Sequence, residues 1–414
     1  MNLLKKGRDI FTLNSKIIGE KQNSFKITLI KIFMYALIII SEIQQMPSFY
    51  SYYSIIRNAL YLIAFLTILI SSTELLKVNM DSFTKFFVIF FLSFQFLSLT
   101  GVLLYGDSVD NIGTLFLPIT VAFFIYIISF VLYNKANLKV HNILLTYIIT
   151  TIPIDIDAFK TYFNNNIFIS AQYLVGRKGL AFLMGFVIIL SIYFILTFTK
   201  SKTIKILFLL FSVVFNFLLL NLIRERGMLL ELYIAIIILL LKSIKNKNVF
   251  LILIVFFVVI LFLLAFSPYI TDNIVSSIIQ PFIKGFNTSN LNNLSSGRIQ
   301  LFSEAFKTFL DHPIIGTLGI QNYFVDNTFL ISLANYGLIG TCLYTILFGF
   351  LFYIGIINII KRSIKDIRLY ISIILFNSLM ISFTSGIAPF GPGTIYIILW
   401  FLLPLITSKR IREV

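Results

Sequence analysis

The sequence predicts an all-α polytopic membrane protein, with about 12 transmembrane helices of bilayer length and a large outer-face loop containing an amphipathic helix. Three observations carry that expectation. Hydrophobic residues make up 58% of the chain and charged residues only 12%, with a mean hydropathy of +0.96. This is more apolar surface than a single globular core can hide. Apolar runs long enough to cross about 30 Å of hydrocarbon recur along the whole length. Lysine and arginine gather in alternate connections between those runs, the asymmetry that orients helices in a membrane.

The runs fall near residues 27–45, 53–72, 84–105, 112–133, 141–157, 179–199, 203–223, 227–241, 248–267, 328–359, 369–386 and 393–407. The run at 227–241 is short, and the one at 328–359 is long and interrupted by Asn335, Gly337 and Gly340. The chain then divides into an N-terminal segment 1–26, helices 1–9 over 27–267 with an outer loop near 154–178, a large outer loop 268–327, three final helices over 328–407 and a tail 408–414. Segment 1–26 is polar and mixed in charge, and no small-residue cleavage site follows the first apolar run. It reads as a retained cytoplasmic lead, not a signal peptide.

With the N-terminus inside, the predicted inner connections hold Lys77 and Lys85, Lys135 and Lys139, Lys200, Lys202 and Lys205, Lys242, Lys245 and Lys247, and Lys361, Arg362, Lys365 and Arg368. The tail adds Lys409, Arg410 and Arg412, so both termini are expected to be cytoplasmic. The formal net charge of +16 is therefore mostly topological. It implies a weak attraction to anionic headgroups of the lipid bilayer and no nucleic acid partner. All but nine of the 33 basic residues follow this rule. The exceptions are Arg57, Lys160, Arg177, Lys178, Arg224, Arg226, Lys284, Arg298 and Lys307, and as a set they favour an anion site facing out.

Several chemistries find no support. Cys342 is the only cysteine, so neither an internal disulfide nor a thiolate metal site can form. The two histidines, His141 and His312, do not make a His-rich metal site, and no phosphate-binding glycine loop or serine nucleophile elbow is present. No cofactor and no metal are expected. Glu42, Asp107 and Asp110 fall in short outer connections and read as solvated loop acids.

The polar interruption from Ser295 to Gly340 is the main place where chemistry can occur. After Ser296-Gly297, a helical pattern puts Ile299, Phe302, Phe306, Phe309 and Leu310 on one face, and this helix is expected to lie on the outer membrane surface. Pro313 stops it, with His312 near its end. Upstream, Asn221-Leu222-Ile223-Arg224-Glu225-Arg226-Gly227 sets two arginines at the outer end of a membrane helix. An arginine at membrane depth costs on the order of a few kcal/mol unless paired or solvated. Glu225 is available to neutralise one of them.

These pieces, in this order, resemble the bacterial O-antigen polymerase and ligase superfamily. The residues are Arg226-Gly227, Ser296-Gly297-Arg298, Pro313-Ile314-Ile315-Gly316, Asp326-Asn327 and Gly337-Leu338-Ile339-Gly340, and the twelve-helix plan is similar too. The resemblance implies glycosyl transfer on the outer face of the bacterial cytoplasmic membrane. Its donor would be a polyprenyl-pyrophosphate-linked oligosaccharide, with a chain-length regulator and a flippase as candidate partners and no nucleotide sugar or metal. Ligases of the superfamily carry His-Asn where this chain has Asp326-Asn327, which favours a polymerase over a ligase.

The residue types suit that chemistry. Pyrophosphate leaves the glycosyl carbon, and guanidinium groups bind its developing charge in a fork. Arg226 and Arg298 are the first candidates, with Arg224 and Arg177 behind them. The acceptor hydroxyl needs a base, for which Asp326 is the candidate, its alternative role being to cap the helix that follows. Asn327, Tyr323 and His312 complete the expected substrate contacts. A lipid-linked oligosaccharide flippase is the rival class, against which stand the lack of an internal repeat and the concentration of polar residues in one outer loop.

Overall fold

The computed structural model describes residues 25–75, 78–105, 116–135, 139–164, 174–197, 203–223, 226–244, 254, 298–317, 327–383, 389–390 and 396–408. Among them, regular structure is entirely helical. The helices are α1 (25–43), α2 (Tyr53–Leu75), α3 (Ser82–Tyr105), α4 (Phe116–Lys135), α5 (Val140–Asn164), α6 (Leu174–Thr197), α7 (Thr203–Ile223), α8 (Arg226–Ser243), α9 (Arg298–Asp311), α10 (Thr328–Lys361), α11 (Ile367–Ile381), α12 (Ile397–Leu402) and α13 (Pro404–Thr407). A single 3-10 turn, Pro47–Tyr52, joins α1 to α2.

Six of the described helical stretches are long and apolar enough to cross a membrane, namely Pro47–Glu74, Ser82–Thr100, Leu117–Lys135, Val140–Thr161, Lys178–Thr197 and Thr328–Lys361. The protein is therefore a helical membrane protein. Every predicted apolar run except 248–267 coincides with a described helix, and 248–267 lies outside the described residues apart from position 254. Pro404 divides the last run into α12 and α13, and Ile367–Ile381 and Ile397–Thr407 form apolar stretches below spanning length.

The helices run up and down. Ser48, in the 3-10 turn, donates through its amide to Asp157 near the end of α5 (2.9 Å) and through its hydroxyl to the same carboxylate. At the opposite end Lys135 of α4 pairs with Glu74 of α2 at 2.6 Å, and Lys242 of α8 donates to the Ile360 carbonyl of α10 at 2.5 Å. Helix α6 is the centre of the bundle, with residues 179–194 all buried. Helix α10 is peripheral. Gly340, Tyr344, Leu347 and Leu351 face inward, while Ile339, Ile346, Phe350 and Tyr353 are exposed on the other side. A helix as apolar outside as inside is one that meets lipid.

Aromatic rings fill the space between α3, α4 and the C-terminal helices. Trp400 stacks on Phe87 (5.1 Å) and Phe390 (5.2 Å), and its indole donates to the Pro389 carbonyl at 3.0 Å. Each such ring pair contributes roughly 0.5–1.5 kcal/mol beyond burial.

Two expectations are corrected here. The loop predicted near 154–178 is largely helix, because α5 continues through Pro153 to Asn164 and α6 begins at Leu174. Helix α9 begins at Arg298, after Ser296-Gly297, but it packs against α10. Its inward stripe is Phe302, Ala305, Thr308 and Phe309, whereas Phe306 and Leu310 are exposed. Small Ala305 and Thr308 permit the close approach, which an apolar-face count misses.

Two glycines lock α9 to α10. Gly337 interrupts α10 with φ 59° and Gly316 follows Pro313 with φ 64°, the left-handed region that side chains avoid. A Cβ on either would lie 2.5 Å from backbone atoms of the other segment. Backbone hydrogen bonds close the contact: Thr317 to Ala334 at 3.1 Å, Leu338 to Pro313 at 2.9 Å and Ile339 to Ile314 at 3.1 Å, donors first. The Pro313–Gly316 and Gly337–Gly340 motifs are thus one structural unit.

Candidate functional site

The amino end of α10 is held inside the protein. Thr328 is fully buried and its amide donates to the Ser382 carbonyl at 2.9 Å, while the Tyr344 hydroxyl bonds to the Thr328 and Ser382 side chains. Asn327 is the cap: its Oδ1 accepts from the Leu330 amide at 3.1 Å and its Nδ2 donates to the Phe383 carbonyl at 3.3 Å. The capping role weighed for Asp326 therefore falls to Asn327, whose amide is engaged at both ends by the chain itself. Asp326, Tyr323 and Arg224 lie outside the described residues. His312 is exposed just past the end of α9, where its carbonyl accepts from the Gly316 amide at 3.0 Å.

The remaining candidate arginines share a position. Arg226 is the first residue of α8, Arg298 the first of α9, and Arg177 the fourth of α6; their side chains lie outside the described residues. The first turns of all three helices contain no acid. A cation at a helix start opposes the macrodipole by about 0.3–1 kcal/mol. Arginine there is not explained by helix stability.

Glycines in this part of the bundle differ: a Cβ on Gly185 would meet the Met228 methyl at 2.0 Å and one on Gly179 would meet Gln45 at 2.2 Å, whereas one on Gly227 would meet no described atom within 4 Å.

One acid in this region escaped sequence reading. Glu231, about 7.5 Å along the α8 axis from Arg226, is 5% exposed. Its backbone carbonyl accepts from Asn377 Nδ2 of α11 at 3.1 Å, and its carboxylate acts electrostatically on Tyr396. Tyr396 also couples to Tyr344, so Glu231 joins the cluster around Thr328 and Ser382. A shallow apolar cleft opens beside Tyr396, lined by Tyr61, Pro118, Val121, Phe390 and Trp400. The available signal was an acid inside an apolar run, which marks a functional candidate by default.

Among the described residues no three His, Cys, Asp or Glu side chains cluster as a metal site. The sequence matches no model of a known protein family, and no curated protein is similar to it.

Proposed function

We propose that this protein is a polysaccharide polymerase of the bacterial cytoplasmic membrane. It transfers a polyprenyl-pyrophosphate-linked glycan onto the next lipid-linked repeat unit at the outer face, in a twelve-span topology with both termini inside. The observation that carries this reading is the placement of Arg177, Arg226 and Arg298 in helix first turns that hold no acid, an arrangement that favours a pyrophosphate.

In this mechanism Arg226 and Arg298 neutralise the leaving pyrophosphate, with Arg224 and Arg177 assisting. Asp326 accepts the proton of the attacking sugar hydroxyl as the glycosidic bond forms. Glu231, buried in α8 five residues after Arg226, is a further acid near this helix start. No nucleotide enters the reaction. The test is reconstitution with a purified lipid-linked repeat unit, following chain growth without added nucleotide sugar. Asp326→Asn and Arg298→Ala are each expected to abolish growth at normal abundance, and Arg298→Lys to remain poor because a point charge does not replace a fork. Full-length polymer from both of the first two variants rejects the assignment.

The break in α10 at Gly337 favours a second reading, since interrupted helices line transport sites. In a deletion strain a flippase traps repeat units on the inner leaflet, whereas a polymerase leaves single units on the outer one.

A further inference from the structure

Helix α10 doubles back on itself. Along a continuous helix Phe329 and Phe348 would stand roughly 28 Å apart, yet their rings lie 5.1 Å from one another, and the Phe329 ring is 5.2 Å from that of Tyr344. A Cβ on Gly340 would meet that of Tyr336 at 2.2 Å, whereas one unbroken turn holds such atoms about 5–6 Å apart. Gly337 is therefore the bend of a helical hairpin, with a short arm, 328–336, folded against a long arm, 338–361. The long arm covers about 36 Å and spans by itself. The short arm does not.

Its start is submerged. The Thr328 amide is bonded to the Ser382 carbonyl, which stands roughly 22 Å up α11 from its lysine-bearing end at Ile367. Arg226 is at a similar height, roughly 24 Å along α8 from Lys242. Both positions fall inside a hydrocarbon layer about 30 Å thick, where chain that turns back is tolerated in protein or beside a water-filled cleft.

The polar side chains of the short arm depart from the habit of the bundle. Helical hydroxyls elsewhere return to a carbonyl three or four residues back, as those of Thr67, Ser98, Ser129, Thr151 and Ser378 do. The amides of Asn134, Asn216 and Asn358 do the same. Ser332 Oγ, Asn335 Nδ2 and Asn335 Oδ1 have no hydrogen-bond partner among the described residues, and neither has Thr317 Oγ1. Ser332 and Asn335 are each 1% exposed and Thr317 6%, so solvent does not compensate them. The three are neighbours. Ser332 and Asn335 share a face about 4.5 Å apart along the axis, and the Thr317 amide donates to the carbonyl of Ala334 at 3.1 Å.

We propose that Thr317, Ser332 and Asn335 form an uncharged subsite for saccharide hydroxyls on the short arm of the hairpin. An anion requires donors and a cation requires acceptors, but here an amide offers one of each beside two hydroxyls. The matching group both donates and accepts, as a sugar hydroxyl does. A sugar ring presents several such groups across a span, so the three side chains need not converge on one point. The subsite deepens the polymerase reading and rests on it for the identity of the glycan carrier.

The test measures binding of a purified lipid-linked repeat unit, and of polyprenyl pyrophosphate without sugar, to the full-length protein in detergent, together with thermal unfolding. Asn335→Leu is expected to weaken the repeat unit about ten-fold and Ser332→Ala about three-fold, through lost hydrogen bonds, with the sugar-free lipid unaffected. Asn335→Leu should also unfold no earlier than the wild type, because it removes an unpaired buried amide. Unchanged affinities mean that the patch holds water only and overturn the subsite. An equal loss for the sugar-free lipid, or an earlier unfolding of Asn335→Leu, assigns a structural role and equally overturns it. Should Asn335→Leu fail to fold, Ser332→Ala and Thr317→Val decide by the same affinities. A wild type that does not distinguish the two lipids also overturns the subsite, whereas one that prefers the sugar-bearing lipid but extends no chain rejects the polymerase reading and leaves the subsite standing.

Discussion

Glu231 and the pair formed by Glu42 and Asp155 are buried in the same bundle, yet their surroundings differ in kind. Around Glu231 the Asn377 amide donates to the backbone carbonyl, and the carboxylate acts electrostatically on Tyr396, near the start of α8. Around the pair each carboxylate accepts from a side chain on another helix, Glu42 from Thr150 and Asp155 from Asn216, while Glu42 Oε1 and Asp155 Oδ1 have no hydrogen-bond partner among the described residues. Burial alone therefore says little about an acid in a membrane; the balance of donors and charges around it decides.

The largest expected effect tests the frame that both clusters depend on. Gly337→Ala is predicted to cost at least about 3 kcal/mol, since it strains the backbone and drives a Cβ into the Pro313–Gly316 turn; folded protein recovered from membranes measures it. If Gly337→Ala accumulates normally, the lock between α9 and α10 is not required. Next in size, Glu231→Gln should lower chain growth several-fold at unchanged abundance. Glu42→Gln, by contrast, should leave chain growth near that of the wild type. Equal losses in the two variants would erase the distinction between the clusters. The smallest structural effect belongs to Gly227→Ala, predicted to shift stability by less than about 0.5 kcal/mol while reducing chain growth. Undiminished growth in that variant would mean that no ligand approaches the α8 backbone there.

Much of the fold was legible in the residue order. Spanning helices are written as uninterrupted apolar length, so α2 to α7 and α10 lie where the runs predict them. The start of α9 after Ser296-Gly297 was legible for the same local reason. The break in α10 was read as a set of three residues, Asn335, Gly337 and Gly340, and only Gly337 takes a non-helical conformation. Asn335 and Gly340 stay helical, and Gly340 is instead needed for packing, where a Cβ would meet Tyr336 at 2.2 Å.

By itself the sequence determined what depends on neighbours along the chain: a membrane protein of apolar helices, with an amphipathic helix opening after Ser296-Gly297. The tertiary structure alone decided which polar residues lose water and what they meet. Glu42 finds Thr150, Asp155 finds Asn216, and Glu231 finds Asn377, each across at least 60 positions of chain. The physical reason is that hydrocarbon length is a local property of a segment, whereas compensation of a buried charge is a property of whatever other helix packs against it.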